Sequence, residues 1–158
     1  RELNKIRKDR KIKKGKDFYM VGGMGHCSSV ALGCSLANKN KVICLDGDGS
    51  LLMHMGSIST IGFYSKNNFK YILLNNNAHE SVGGQSTNSS NIDFQMFSSS
   101  VGFKGYMQIS SIKNIDKKLK YFLASKHFKF LEVRIKSKNI DNLDRPKNFL
   151  KIKKNFFK

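Results

Sequence analysis

The chain is expected to fold as a doubly wound, mostly parallel α/β sheet with helices on both faces. Three observations predict this. Short apolar runs at 41–47, 69–75 and 128–135 alternate with stretches of helical periodicity, the order in which parallel βαβ units are built. The run "KVICLDG" is β-branched and continuously apolar, as strands buried on both faces are. Gly- and Asn-rich segments follow the runs at their carboxyl ends, where open α/β sheets bind ligands. At 158 residues the chain admits one domain with a real core.

The elements follow in order. Residues 2–11 read as a short, strongly charged helix, and "DFYMV" (17–21) as a strand. "GHCSSVALGCSLAN" (25–38) places Val30, Ala31, Cys34 and Ala37 at helical spacing, and its small residues predict close packing against a sheet. After the strand 41–47, "SLLMHMGSISTIGFYSK" (50–66) is helical, with Leu52, Met55, Ile58, Ile61 and Phe63 as its apolar set and a bend expected at Gly56. "FKYILLN" (69–75) is the next strand, and 76–92 reads as one long loop. A helix over 94–102, a strand over 104–109, a helix over 112–125 and a strand over 128–135 complete the pattern. The remainder holds the only proline, Pro146, and a Lys/Phe-rich end.

The net charge of +18 invites a nucleic-acid reading. Its distribution argues against one. Residues 1–16 hold nine Lys and Arg and residues 113–158 fifteen, whereas 17–112 balance five cations against five acids. The most patterned stretch is neutral, so nucleic acid is an unlikely partner and a solvated Lys-rich surface the simpler reading. No run of 18 apolar residues is present to cross a membrane. Cys27, Cys34 and Cys44 lack CxxC spacing and lie among small apolar residues, which suits reduced thiols in a cytoplasmic protein.

Three segments should converge beyond the carboxyl ends of the strands: "GGMGH" (22–26), "DGDGS" (46–50) and "NNNAHESVGGQ" (75–85). Asp46 and Asp48 repel each other at a strand mouth unless something positive relieves them. Gly47 and Gly49 let the backbone approach a ligand, Ser50 is placed to cap the following helix, and a helix start is a natural phosphate site. A Mg²⁺ between Asp48 and a phosphate would remove the remaining conflict, because it takes carboxylate, amide and phosphate oxygens together. Taken alone, "GDGS" is an ordinary turn. The twenty-five residues between Gly49 and Asn75 make it more, because they suffice for one helix and one strand and return Asn75–Asn77 to the same edge.

A Gly-Asp-Gly, a spacer of this length and a closing Asn-Asn resemble the binding signature of thiamine diphosphate enzymes. With "DFYMVGGMGHCSSVALG", "GDGSLLMHMGS" and "NNNAHESVGGQST", the chain resembles the phosphonopyruvate decarboxylases, whose close relatives are the sulfopyruvate decarboxylases, over about residues 1–150. The resemblance implies thiamine diphosphate and Mg²⁺ as cofactors and decarboxylation of a 2-oxo acid, phosphonopyruvate first. It implies Asp48 and Asn76 as side-chain metal ligands and the Ala78 carbonyl as a third, with Gly47, Gly49 and Ser50 at the diphosphate. Met24 matches the apolar residue that bends the cofactor, and the Gly22 carbonyl the acceptor for its aminopyrimidine. His26 and His79 fall in active-site loops and are the candidate catalytic residues. Two positions depart from the pattern: Asn77 where glycine is expected, and Gly23 where serine is.

Residues 1–140 are then the cofactor-binding domain and 141–158 a basic tail. His54, Met53 and Met55 read as packing residues, His127 as surface, Asp46 as support for the turn; Glu80 stays open between substrate contact and solvent. The resemblance also implies a missing half. Such enzymes activate the cofactor through a glutamate on a pyrimidine-binding domain, and neither Glu2 nor Glu80 has that context. The chain is therefore expected to be a fragment or a β-type subunit, inactive alone and part of a homo- or hetero-oligomer. Other readings are a 2-oxo acid oxidoreductase β-subunit, against which the cysteine spacing speaks, and a basic binding module on the same fold.

Overall fold

The computed structural model describes residues 1–12, 16–127, 129–137, 143 and 145–157. Two units pack internally: Arg1–Gly23 with Lys138–Lys158, and Met24–Ser137. The second carries the sheet. Four strands, β1 (Val42–Gly47), β2 (Phe69–Asn75), β3 (Tyr106–Ile109) and β4 (Phe130–Arg134), pair in the order β1-β2-β4-β3. All three pairings are parallel, so every carboxyl end lies on one edge. Each crossover carries helix: α3 (Asp48–Met53) and α4 (Ser57–Tyr64) between β1 and β2, α5 (Phe94–Ser100) between β2 and β3, and α6 (Ile115–Ala124) between β3 and β4. Helix α2 (Cys27–Ala37) precedes β1.

Two cores follow from the period-2 alternation of the strands. On one face Cys44, Phe69, Tyr71, Leu73 and Phe130 meet Leu32, Leu51, Ile58, Ile61, Phe94 and Phe103 from α2–α5 and the loop after them. On the other, Ile72, Ile109, Leu131 and Val133 meet Phe122, with Ile115, Leu119 and Leu123 of α6 packed around it. Helices therefore cover both faces, as expected.

Several details differ from the sequence expectation. Strand β1 is an edge strand buried on one face only: Cys44 is 1% exposed but Ile43 is 44% and Leu45 39%. Its apolar run fits two buried faces, yet among the described residues α6 is the one helix packed on the second face, and it covers β2, β3 and β4. The expected helix 50–66 is two helices, broken at His54, which leaves helical geometry (φ −134°, ψ 43°), while Gly56 itself is helical. The break rotates the buried face, so Leu51 enters the core and Phe63, assigned there from periodicity, is 78% exposed. Helix α2 buries Ser28, Leu32 and Ser35 rather than Cys34 and Ala37. Small hydroxyls let it lie close to the sheet, with Ser35 Oγ returning its hydrogen bond to the Leu32 carbonyl at 2.8 Å. The long loop contains two short 3₁₀ turns, Glu80–Val82 and Asn88–Asn91.

The other unit holds α1 (Glu2–Asp9) and α7 (Phe149–Phe157), so the Lys/Phe-rich end is helical. "DFYMV" is not a strand. Its unit contributes no strand among the described residues, and the segment is held by side chains instead. The Asp17 carboxylate takes the Arg7 guanidinium at 2.6 Å and the Tyr19 hydroxyl at 3.0 Å, while Phe18 packs on Phe156 and Phe157. Phe128, in the expected last strand, lies outside the described residues.

Candidate functional site

The parallel register brings β1 and β2 to the same edge, with Gly47 opposite Leu74. Helix α3 starts at once on Asp48, whose side chain is 1% exposed. One carboxylate oxygen, Oδ2, accepts the Ser89 hydroxyl at 2.9 Å and the Thr87 hydroxyl. The other, Oδ1, faces the Asn76 backbone N–H at 3.4 Å. Among the described residues no cation pairs with it. A buried carboxylate in that state is costly, because hydroxyl donors replace only part of its lost hydration.

The facing loop is built from two successive Asx turns. Asn75 Oδ1 accepts from the Asn77 N–H at 3.2 Å, and Asn76 Oδ1 from the Ala78 N–H at 3.2 Å. Asn77 sits at φ +56°, a left-handed conformation that asparagine tolerates, so its departure from glycine leaves the turn intact. Ala78 pairs with Ser86 in an antiparallel bridge. Its two hydrogen bonds run from Thr87 N–H to the Asn77 carbonyl and from His79 N–H to the Gln85 carbonyl. The Ala78 carbonyl is therefore not consumed by the pairing. The His79 ring stands over Gly49: a Cβ there would fall 2.3 Å from His79 Nδ1. Gly49 is thus glycine because the imidazole needs the space.

The third segment joins through Gly25. Its N–H donates to Ser50 Oγ at 2.9 Å, and at φ +88° a Cβ would meet His54 Nδ1 at 2.1 Å. Ser50 is consequently not a helix cap. Helix α3 begins two residues earlier than expected, and Ser50 ties the 24–26 loop to it. The exposed His26 stacks on His54, ring centroids 4.1 Å apart. Met24 is half-buried in the same turn. Gly22 belongs to the other unit, where it adopts φ +77°. The structure thus brings Asp48, Gly49, Ser50, Asn76, Ala78 and His79 together, with His26 alongside through His54 and Gly25.

Supporting groups surround this cluster. Asp46 braces the turn, accepting from its neighbour's Gly47 N–H at 3.1 Å and from the Tyr71 hydroxyl at 2.9 Å. Burial pushes its carboxyl up despite these bonds and one from Ser50. Glu80 accepts from the Ser137 hydroxyl. Glu132, 1% exposed inside β4, accepts from Asn75 Nδ2 at 2.8 Å, Gln108 Nε2 at 3.0 Å, Arg134 Nε at 3.1 Å and the Tyr106 hydroxyl. Burial alone would raise the Glu132 carboxyl; the donors and the Arg134 charge outweigh it and hold it below its ordinary 4.5.

That shift has a measurable consequence. A folded-state pKa below the unfolded one means that ionised Glu132 stabilises the fold above about pH 4.5, and that this contribution disappears as pH falls through the folded value. Urea midpoints recorded between pH 6 and 3 should fall more steeply for the wild type than for Glu132→Gln. Parallel slopes would mean that Glu132 titrates alike in both states.

Sequence reasoning missed Thr87, Ser89 and Glu132. The hydroxyls stand in a Ser/Asn-rich loop with no distinguishing pattern. His54 packs as its sequence context predicts, its ring stacked on His26 at the break between α3 and α4. Glu132 did leave a signal: a lone acid within the apolar run "FLEV" of a buried strand needs partners.

Among the described residues no three His, Cys, Asp or Glu side chains gather as a metal site of their own. No helix among them is long and apolar enough to cross a membrane. The chain matches, over residues 4–133, the family of the thiamine pyrophosphate enzyme C-terminal TPP-binding domain. It is 35% identical to phosphonopyruvate decarboxylase of Streptomyces viridochromogenes over 130 residues, covering 82% of this chain and 33% of that one. It is 46% identical to the sulfopyruvate decarboxylase β subunit of Methanocaldococcus jannaschii over 74 residues, covering 47% of this chain and 39% of that one. Transketolase from Campylobacter jejuni superposes with a TM-score of 0.47 at 24% identity, over 71% of this chain and 18% of that one. The chain spans about a third of the length of the phosphonopyruvate decarboxylase it matches. By the match of more than three quarters of its residues, the chain belongs to the thiamine pyrophosphate enzymes, as a C-terminal TPP-binding domain.

Proposed function

We propose that this domain is the diphosphate- and Mg²⁺-binding half of a thiamine diphosphate-dependent decarboxylase acting on phosphonopyruvate, releasing CO₂ and phosphonoacetaldehyde. The observation that carries the reading is Asp48, a buried carboxylate without a cation, facing the Asn76 loop across the sheet edge. One carboxylate, the Asn76 amide and the Ala78 carbonyl make too small a donor set for a protein-only metal site. They fit a Mg²⁺ whose remaining ligands are diphosphate oxygens and water. Asp48, Asn76 and Ala78 would hold the ion, and Gly47, Gly49 and Ser50 would meet the diphosphate. When bound, thiamine diphosphate supplies the electron sink for loss of CO₂. This chain's residues would contribute position: Met24 would pack against the cofactor, and His26 and His79 would meet the anionic substrate.

A pyrimidine-binding domain or subunit completes the site in this reading, within an oligomer in the cytoplasm. Sulfopyruvate is the second reading for the substrate, favoured by the higher local identity to the β subunit of that decarboxylase. Calorimetric titration with thiamine diphosphate should give binding with Mg²⁺ and little without it. With the pyrimidine-binding partner added, phosphonopyruvate should release CO₂ faster than sulfopyruvate, and His26→Ala or His79→Ala should raise KM or lower kcat. No Mg²⁺-dependent binding would end the proposal; faster release from sulfopyruvate would reverse the substrate order; unchanged kinetics in both variants would remove the histidines.

A further inference from the structure

We infer that Glu132 is a positioning residue for the Asn75–Asn77 loop, acting on the metal and diphosphate through the side-chain amide of Asn75. The inference rests on the metal-loop reading above. Glu132 has no capacity left for a ligand of its own: each carboxylate oxygen already receives two donors, Asn75 and Arg134 on one, Tyr106 and Gln108 on the other. Its influence must therefore run through those partners.

Of the four, Asn75 leads to the site. An ionised carboxylate only accepts hydrogen bonds, so it dictates which end of the Asn75 amide faces it. The NH₂ points to Glu132 at 2.8 Å, and the oxygen is left for the Asn77 N–H at 3.2 Å. The bond to Asn77 closes the turn that places the Asn76 N–H against Asp48 Oδ1. If the Asn75 amide flipped, its NH₂ would oppose the Asn77 N–H, donor against donor, and the turn would open. Glu132 thus sets the polarity of a chain running from β4 through β2 to Oδ1 of Asp48.

A polarity swap tests this. In E132L nothing on β4 accepts from the Asn75 amide, so its NH₂ loses the partner that fixes its orientation. Groups that orient metal ligands from behind cost about 10–100-fold in affinity when lost. The dissociation constant of thiamine diphosphate at saturating Mg²⁺, measured by calorimetry on the full chain, should weaken by that factor in E132L. N75D alone sets carboxylate against carboxylate and should weaken likewise. In E132Q/N75D the hydrogen-bond polarity is restored in reverse and the net charge is unchanged, so affinity should return to within about threefold of wild type, a smaller loss than for an outer-shell partner. Circular dichroism melts separate folding from positioning, and if E132L alone is unfolded the comparison rests on N75D and the double variant. A double variant that folds and binds as weakly as N75D overturns the inference, as does E132L with wild-type affinity. A wild-type chain that binds no thiamine diphosphate overturns the metal-loop reading, and this inference with it.

Discussion

Asp48→Ala should abolish Mg²⁺-dependent binding of thiamine diphosphate, a loss above about a hundredfold and beyond that of an orienting group. The carboxylate joins the α3 turn to the Asn76 loop, reaching the Asn76 N–H and the Ser89 hydroxyl. Its loss would remove both the proposed metal ligand and the acceptor that draws Thr87 and Ser89 toward the loop. Asp48→Asn separates these effects. It keeps the shape and much of the hydrogen bonding but carries no charge, so cofactor affinity should still collapse. The cofactor-free protein, relieved of a buried charge without a cation, should melt no lower than wild type. Calorimetric titration and thermal melts of both variants check the pair of results. Retained affinity in Asp48→Asn would move the metal elsewhere.

Phe130→Ala should cost about 3–5 kcal/mol of folding stability, the range for deleting a fully buried ring. Phe130 is completely buried where β4 crosses the first core, and four aromatic rings close on it. Tyr71 lies 5.0 Å away between centroids, Phe103 5.3 Å, Tyr106 6.1 Å and Phe94 6.5 Å. Rings held on three separate elements and a loop cannot collapse together into the vacated volume, so the cavity persists and its cost adds to the lost burial. Domains have only about 5–15 kcal/mol in total, so the variant should unfold at a much lower urea concentration with an unchanged slope. A loss under about 1 kcal/mol would mean that the site repacks.

The fold was largely legible because its signals are local. Alternating strand and helix periods, and turn residues at strand ends, identify parallel βαβ units without reference to anything distant. The Gly47–Asp48–Gly49 turn and the Asn75–Asn77 run were legible for the same reason, with a spacing that returns one to the other. The misreadings share a cause. Strand β1 is as apolar as a central strand, yet whether a helix covers both its faces depends on where α6 lies, seventy residues later. Phe63 has the right spacing on an unbroken helix, and the break at His54 turns it outward. "DFYMV" has strand composition, but a strand exists only where another offers its edge.

The amino-acid order alone was enough to establish the α/β class, the parallel arrangement and the Asp48 and Asn76 pair, since each is written in neighbouring residues and short spacings. Assembly in three dimensions decided the rest: the edge position of β1, the tie from Ser50 to Gly25, the ring of His79 over Gly49, and the link from Glu132 through Asn75 to Asp48. These join residues 25 to 57 positions apart, and a hydrogen bond across such a distance exists only after packing has closed the chain between its ends.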